Sequence, residues 1–174
     1  MAALRVTMIR RNAGFAFLQG VYIMPPNNFG DSYFMDQECV FCRIVKGELP
    51  SCRIYEDEEA LAFMDIAPII KGHSLVIPKA HHNLIMETPP ALLCKVVAVV
   101  QRVVRAQMEA LDADGVNVHQ ANGRAAGQVV PHLHFHVIPR FLSDGHSWNW
   151  KPCKYSDIPE IQALADRIRS RIKG

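Results

Sequence analysis

The stretch PHLHFHVIPR, residues 131–140, constrains the fold more than any other part of this sequence. Three histidines alternate there with three apolar residues: His132, His134 and His136, with Leu133, Phe135 and Val137 between them. Successive side chains of an extended strand point to opposite faces, so the alternation predicts a strand with one buried apolar face. The imidazole face is then expected to line a cleft or the solvent.

Four further strands are predicted upstream of this one. The stretch CRIYEDEEALAFMDI, residues 52–66, has short apolar segments on either side of the acidic, turn-like EDEE, which is typical of a β-hairpin. HSLVIPK, residues 73–79, and VNVHQAN, residues 116–122, are rich in β-branched residues and end near Gly or Pro.

Two longer helices are predicted from apolar spacing and end signals. Apolar residues recur at helical spacing over Pro90–Leu111, behind Thr88 as a candidate cap. A second helix is predicted from Ile158 to Ile172, with Asp157 as N-cap and Glu160 as its capping-box partner. Together the elements predict an α+β domain with a mainly antiparallel five-stranded sheet and two main helices.

Composition excludes several classes of protein. With 49% hydrophobic and 21% charged residues, the chain is expected to fold rather than remain disordered. Its net charge is only +2, and the sequence has no concentrated basic patch of the kind that a nucleic-acid partner needs. No apolar run approaches the roughly 18 residues of a membrane helix, so we expect no membrane association.

Residues 1–34 differ in character from the rest. They are predicted to be a flexible extension, and residues 35–174 the folded domain. The first 30 residues contain three arginines and no acidic residue, so a mitochondrial transit peptide is one interpretation, beside a disordered tail or a mis-assigned start. Without targeting, the expected location is the cytoplasm, because the close pair of Cys39 and Cys42 is spaced as metal or redox ligands in a reducing compartment.

Three interpretations of the histidine face follow from its chemistry. It is a solvent-facing strand surface, a metal site built on H-x-H, or a site of nucleophilic catalysis on phosphorus. A neutral imidazole attacks phosphorus through one ring nitrogen when a hydrogen bond to the other fixes the tautomer. Crowding favours this last interpretation, because neighbouring imidazoles keep the central one neutral and can themselves donate hydrogen bonds to phosphoryl oxygens.

The triad and its surroundings resemble the histidine triad superfamily of nucleotide hydrolases and transferases. HLHFHVI matches that family's His-x-His-x-His-x-x signature, in which x is apolar. The similarity continues in order through CVFCRIVKGELPS, YEDEEALAFMDIAPIIKGHSLVIPKAH and NGRAAGQVVPHLHFHVIPR, and so covers roughly residues 39–141. The resemblance implies a HIT-like fold and no organic cofactor.

The resemblance also implies roles for individual residues. His134 would be the nucleophile that forms a covalent nucleotidyl intermediate, with His136 at the phosphate and the scissile atom, His132 completing the triad and His73 helping to set the tautomer. The expected nucleotide contacts are Asp65 for the ribose hydroxyls, Asn122, Gly127 and Gln128 for phosphate, and Phe41, Ile44, Phe63 and Ile66 for the base. For the apolar four, core packing is the alternative.

Some histidine triad proteins resemble this chain in a further respect, a structural zinc ion bound by a Cys2His2 set. The ligands expected here are Cys39, Cys42, His81 and His132, with His82 as a competitor of His81. Such an ion would be structural, because protein ligands fill all four positions. A redox pair and packed thiols are the alternatives for the two cysteines.

We therefore predict a hydrolase of nucleoside 5′-phosphoramidates or related nucleoside-monophosphate derivatives, with a purine nucleotide as substrate. The alternatives are a dinucleoside polyphosphate hydrolase, a non-catalytic zinc-stabilised nucleotide-binding protein, and a metalloenzyme that uses His134 and His136 as ligands. Val129 favours the non-catalytic alternative, because many phosphoramidase relatives have a hydroxyl residue at this position. A homodimer is expected from the resemblance, and His119 and His146 are interpreted as surface histidines.

Overall fold

The computed structural model of the 174-residue chain describes residues 39–145 and 152–173. The predicted extension of residues 1–34, the domain boundary at residue 35, and His146 lie outside the described residues. The elements follow in the order α1 (Val40–Val45), β1 (Arg53–Glu56), β2 (Ala60–Met64), β3 (Ser74–Pro78), α2 (Pro90–Leu111), β4 (Gly115–His119), β5 (Phe135–Arg140) and α3 (Ile158–Arg169).

The strands form one five-stranded sheet in the order β1-β2-β3-β5-β4. All four neighbouring pairs are antiparallel, and β1 and β2 form the predicted hairpin. The predicted α+β fold is therefore confirmed. β5 lies between β3 and β4, so the histidine segment has a neighbouring strand on each side.

Alternation along the central strands separates two cores on the two faces of the sheet. In β2, for example, Ala60, Ala62 and Met64 belong to the larger core and Leu61 and Phe63 to the smaller one. Helices α2 and α3 cover the larger core, whereas the short helix α1 covers the smaller one. Both faces of β2 and β3 are thus buried, which explains their almost entirely apolar sequences.

Helix α2 has the predicted bounds, but its predicted cap is wrong. The N-cap is Pro89, and the hydroxyl of Thr88 instead donates to the carbonyl of Leu84 at 3.0 Å. The helix ends where Asp112 adopts the left-handed conformation at φ 55°. None of the helices in the described part of the chain is both long and apolar enough to span a membrane.

Helix α3 begins as predicted and ends three residues early. The carboxylate of Asp157 accepts from the N–H of Glu160 at 2.8 Å, which confirms the N-cap. The carboxylate of Glu160 accepts from the N–H of Ser156 at 2.7 Å, one residue before the position that a capping box requires. Past Ser170 the backbone hydrogen bonds shorten from i−4 to i−3, so the α-helix does not extend to Ile172.

Candidate active site and metal centre

The triad segment has the predicted alternation, although its ladder is shorter than expected. The apolar residues Leu133, Phe135 and Val137 are buried in the larger core, and the three histidines lie on the opposite side. The regular strand begins only at Phe135, so the first two histidines precede it. There the chain is held differently, because the N–H of Leu133 donates to the carbonyl of His82 at 2.5 Å.

The first histidine of the triad faces the cysteine pair. The Nε2 atom of the fully buried His132 lies 2.9 Å from the carbonyl oxygen of Pro78, which can only accept a hydrogen bond. Nε2 therefore carries the hydrogen, and Nδ1 presents its lone pair to Cys39 Sγ at 3.4 Å and Cys42 Sγ at 3.6 Å. A histidine in this tautomer is ready to bind a metal ion through Nδ1.

Four ligand atoms converge at this point, from Cys39, Cys42, His81 and His132, all within 4.8 Å of one another. The Nδ1 atom of His81 lies 3.2 Å from Cys42 Sγ, so His81 rather than His82 belongs to the cluster. Tetrahedral zinc with usual bond lengths places its sulfur and nitrogen ligands about 3.6 Å apart. The observed separations fit such an ion, and the soft thiolate pair suits zinc.

The central histidine is held as a neutral base. His134 Nδ1 lies 2.6 Å from the carbonyl oxygen of His132, so Nδ1 carries the hydrogen and Nε2 keeps its lone pair. Burial lowers the pKa of His134, while its hydrogen bond to the His132 carbonyl and the charge of Asp65 oppose that shift. The ring of Phe41 packs edge-on against the imidazole with centroids 5.4 Å apart. His134 therefore has the tautomer that a nucleophile needs.

The third histidine, His136 on β5, is paired with His73, the residue directly before β3. The N–H of Ile69 donates to His73 Nδ1 at 3.2 Å, so the hydrogen of the His73 ring lies on Nε2. That atom is 2.9 Å from His136 Nδ1 and donates to it, which leaves the hydrogen of His136 on its own Nε2. Each tautomer in the pair thus follows from one backbone amide.

Both members of the pair are neutral near pH 7. Burial lowers the pKa of His73 to about 4, although the charge of Asp65 opposes the shift. Burial, followed by the charges of His73, His134 and His119, lowers the pKa of His136 to about 2. The contact of 3.6 Å between His73 Nδ1 and Asp65 is therefore not an ion pair at neutral pH.

A buried amide from α2 holds the backbone behind this pair. Gln107 is fully buried, and its Nε2 lies within hydrogen-bond distance of the Gly72 carbonyl, the Ser74 hydroxyl and the Val137 carbonyl. Gly72 and Ser74 flank His73, and Val137 follows His136. Gln107 therefore joins β3 to β5 on the opposite face of the sheet from the two imidazoles.

Two of the predicted phosphate ligands join loops to one another. Asn122 Oδ1 accepts from the N–H of Ile85 at 2.8 Å. Gln128 accepts from the N–H of Gly123 and donates to the carbonyl of Asn83, both at 2.7 Å. Gly127 ends a short 3₁₀ turn at φ 91°, a conformation that favours glycine. These contacts attach the loop before the triad to the segment that carries His81, and phosphate contact by these residues remains a prediction.

The predicted nucleoside contacts lie on the β2 and β3 side of the triad. Asp65 directly follows β2, and its Oδ1 accepts from the N–H of Ala67 at 2.8 Å. Phe41, Ile44 and Phe63 are buried in the smaller core, whereas Ile66 is 64% exposed beside Asp65. Core packing thus accounts for three of the four apolar residues, and their contact with a base remains a prediction.

Sequence reasoning missed two residues near this site. His119 is exposed, as expected, but it is the cross-strand partner of His136, with ring centroids 6.1 Å apart. No local pattern gives the register of β4 against β5. Gln107 could have been noticed as a polar residue on the apolar stripe of α2, between Val103 and Leu111.

The fold and the site together define a histidine triad protein: a five-stranded antiparallel sheet that carries three alternating histidines beside a Cys2His2 cluster. The family model described as HIT domain matches residues 46–142, and the chain belongs to this family. The sequence resemblance is thus confirmed.

Several known proteins are similar to this chain. An adenosine 5′-monophosphoramidase of Schizosaccharomyces pombe is 40% identical over 136 residues, which are 78% of this chain and 98% of that protein. An adenylylsulfatase of Arabidopsis thaliana is 41% identical over 110 residues, 63% of this chain and 56% of that protein. Among solved structures, a Zn-bound histidine triad family protein from Mycobacterium smegmatis has a TM-score of 0.71 and 40% identity, covering 79% of this chain and 95% of that one.

Proposed function

We propose that this protein hydrolyses nucleoside 5′-phosphoramidates or related nucleoside-monophosphate derivatives through a covalent nucleotidyl-His134 intermediate. The observation that carries the proposal is the hydrogen bond of 2.6 Å between His134 Nδ1 and the His132 carbonyl, which leaves Nε2 with a lone pair. The similarity to an adenosine 5′-monophosphoramidase supports the same reaction and a purine nucleotide as substrate.

In the first step, His134 Nε2 attacks the α-phosphorus and the bond from phosphorus to the leaving nitrogen or oxygen breaks. A leaving amine needs a proton, which the pair of His73 and His136 supplies through His136 Nε2. The pair takes up this proton from solvent as the anionic substrate binds, because a nearby anion offsets the burial that keeps the free pair neutral. The proton binds His73 Nδ1, 3.6 Å from the Asp65 carboxylate, in place of the hydrogen bond from Ile69, and the hydrogen between the two rings moves to His136 Nδ1.

In the second step, water attacks phosphorus and the bond to His134 Nε2 breaks. The proton of the attacking water passes to His136, so the pair regains the proton that it gave to the amine. The products are a nucleoside monophosphate and the amine. The carboxylate of Asp65 would accept hydrogen bonds from the ribose hydroxyls. Asn122, Gly127 and Gln128 would bind the phosphate or hold the loop around it. Phe41, Ile44, Phe63 and Ile66 would form the walls of the base site.

We further propose that Cys39, Cys42, His81 and His132 bind a structural zinc ion. Such an ion would hold the segment of His81 against the triad segment and fix the side chain of His132, whose carbonyl orients the nucleophile. The Zn-bound relative supports this proposal. Reduced thiols are needed for such a site, which supports a reducing compartment such as the cytoplasm.

We also propose a homodimer, on the evidence of the edge strand β4 and the exposed apolar side chains of β4 and α2. Strand β4 is an edge of the sheet, and its residue Val118 is 49% exposed. Val97 and Met108 of α2 are also exposed apolar residues. Pairing of β4 with the β4 of a second copy would give hydrogen-bond partners to the backbone groups along this edge and would cover exposed apolar side chains. Light scattering of wild type and of Val118→Lys tests this, and a monomeric wild type contradicts it.

The catalytic proposal is tested by trapping the intermediate. Wild-type protein is mixed with a 5′-phosphoramidate of labelled AMP, denatured within the first turnover, and mapped by mass spectrometry, with metal content measured in the same preparation. We expect acid-labile nucleotidyl label on His134 and none in His134→Ala. Label that persists in His134→Ala contradicts the assignment.

Two alternatives are decided by the same preparation. Preference for a dinucleoside polyphosphate over the phosphoramidate identifies the alternative hydrolase. Nucleotide binding without turnover across both substrates identifies a binding protein, the outcome that Val129 favours, since its 68% exposed side chain has no hydroxyl to assist the leaving group.

A further inference from the structure

We propose that Tyr155 is a positioning residue for the proposed reaction, acting through the loop between β2 and β3 on the pair of His73 and His136. The inference rests on the proposed function and adds to it a residue from a distant part of the chain. It starts from the segment that precedes α3 and from its contacts with residues 65–73, which we call the β2–β3 loop.

The β2–β3 loop places two groups beside one atom, the Nδ1 of His73. The N–H of Ile69 donates to this atom at 3.2 Å, and a carboxylate oxygen of Asp65 lies 3.6 Å from it. The amide keeps Nδ1 without a hydrogen in the free protein, whereas the carboxylate would accept from Nδ1 once the pair has taken up a proton. The position of the loop therefore decides how the pair of His73 and His136 holds its hydrogens.

The sheet fixes the two ends of this loop. Met64 and Ser74 are cross-strand partners in β2 and β3, and the N–H of Asp65 donates to the carbonyl of His73 at 3.0 Å. Ile69 lies midway between these ends, four residues from each. Its position therefore depends on contacts that reach the loop from elsewhere in the chain.

The segment before α3 supplies such contacts on both sides of Ile69. The N–H of Cys153 donates to the carbonyl of Pro68 at 2.7 Å. The hydroxyl of Tyr155 accepts from the N–H of Gly72 at 3.3 Å. Because Pro68 precedes Ile69 and Gly72 directly precedes the histidine of the pair, these two bonds bracket the contact between the amide and the ring.

Tyr155 is the side chain of this segment that is best placed to hold the loop. Its half-buried ring packs against the larger core, and burial raises the pKa of its hydroxyl, so the group stays neutral. Gly72 is buried, and its carbonyl accepts from Gln107, so its N–H and its carbonyl are both bound from outside the loop. The ion pair of Lys71 with Glu160 is exposed and contributes little.

Loss of the Tyr155 hydroxyl would leave the buried N–H of Gly72 without this acceptor, which favours a displaced loop. A displaced loop moves both partners away from His73 Nδ1. The amide no longer keeps the donor hydrogen on His136 Nε2 in the free protein, and the carboxylate no longer stabilises the proton that the pair takes up. Protonation of the leaving group should therefore suffer more than the attack on phosphorus.

The test compares a leaving group that needs a proton with one that does not. kcat/KM is measured with an adenosine 5′-phosphoramidate of a basic amine and with the para-nitrophenyl ester of AMP, whose leaving group departs as a stable anion. Loss of one hydrogen bond predicts a fall of about tenfold with the phosphoramidate in Tyr155→Phe. With the ester we expect a change within about twofold.

Tyr55→Phe is the matched control. It removes the hydroxyl of a second half-buried tyrosine on the same core, whose hydroxyl bonds to Asp57 and Arg102 and not to the β2–β3 loop. Both rates should stay within about twofold of wild type in this variant, and circular dichroism verifies the folding of both variants. Equal changes with the two substrates in Tyr155→Phe, including no change, overturn the role of Tyr155.

Nitrogen NMR of the imidazole rings gives a readout that does not depend on turnover. In the free wild type at neutral pH, His73 Nδ1 should have the chemical shift of a nitrogen without hydrogen and Nε2 that of a nitrogen with one. In Tyr155→Phe the two shifts should approach each other, and unchanged shifts overturn the proposal.

Two further outcomes are decided on the wild type. If Tyr155→Phe does not fold, amide exchange of the wild type replaces it, and a Gly72 amide that exchanges as fast as exposed loop amides overturns the proposal. If wild type turns over neither substrate and forms no nucleotidyl-His134, the proposed function itself fails, whereas the His73 shifts still test the role of Tyr155.

Discussion

The Nε2 atom of His73 lies 2.9 Å from the Nδ1 atom of His136, and this hydrogen bond joins the residue before β3 to β5 beside the proposed nucleophile. Because the N–H of Ile69 occupies the other nitrogen of His73, the direction of donation is determined for both rings. The consequence is a donor, His136 Nε2–H, next to a base, His134 Nε2. An acid and a base at adjacent positions are what the two proposed steps need.

Stability should fall in acid because of this pair. The pKa of His73 is about 4 in the folded protein and about 6.5 when unfolded, so the unfolded chain binds more protons between these values. The free energy of unfolding is therefore unaffected by His73 well above pH 6.5 and decreases as the pH falls from 6.5 toward 4. From His73 alone we expect a loss of about 2 kcal/mol in the free energy of unfolding between pH 7.5 and pH 5.

Urea unfolding at the two pH values, with saturating zinc, measures this loss. His73→Asn is the comparison, because its amide oxygen can accept from Ile69 and does not titrate. The difference between the two pH values should shrink by about 2 kcal/mol in the variant. The same pH dependence in both proteins would show that another group is responsible.

Gln107→Leu should destabilise the protein and reduce kcat with little change in KM. The substitution removes the buried donor from the carbonyls of Gly72 and Val137, which costs about 2–3 kcal/mol. It also loosens the backbone on either side of the pair of His73 and His136. Gln101→Leu, at an exposed position of the same helix, should change stability by less than about 0.5 kcal/mol. Equal stabilities for the two variants would contradict this account.

Gly72→Ala should cost more stability than Gly47→Ala. Both glycines have positive φ, 100° and 76°, so both substitutions strain the backbone. Only at residue 72 would the added Cβ collide, at 2.5 Å from Leu111 Cδ1 and 2.9 Å from Pro139 Cγ. We expect losses of about 3 kcal/mol for Gly72→Ala and about 1 kcal/mol for Gly47→Ala in chemical unfolding. A reversed order would rule out the collision as the cause.

Removal of the proposed zinc ion should lower Tm and leave the folded molecules active, because the carbonyl that orients His134 belongs to the backbone of His132 and not to its side chain. A structural ion bound at about a thousand times its Kd stabilises by about 4 kcal/mol, or roughly 10 °C for a domain of this size. Chelation and Cys42→Ser should have the same effect, whereas Cys94→Ser, at an exposed position on α2, should have none. Activity that disappears while the fold remains intact would instead identify a catalytic metal.

Local patterns were sufficient for much of the fold and part of the site. The apolar stripe predicted the bounds of α2, and alternation predicted which side of the triad segment is buried. The prediction of Thr88 as the cap of α2 was wrong, because Pro89 and Pro90 begin the helix and the hydroxyl of Thr88 donates to Leu84 instead. The role of Gln107 depends on two strands that are distant in sequence, so a helix pattern alone could not give it.

By itself, the sequence determined the alternating histidines, the C-x-x-C pair and one orienting contact, since His134 bonds to a carbonyl only two residues away. The tertiary structure decided the remaining tautomers and the position of His119. His132 depends on Pro78, 54 residues distant, and His136 on His73, 63 residues distant. The physical reason is that the atom facing a ring nitrogen decides whether that nitrogen carries the hydrogen, and for His132 and His136 this atom comes from a distant part of the chain that only the tertiary structure brings near.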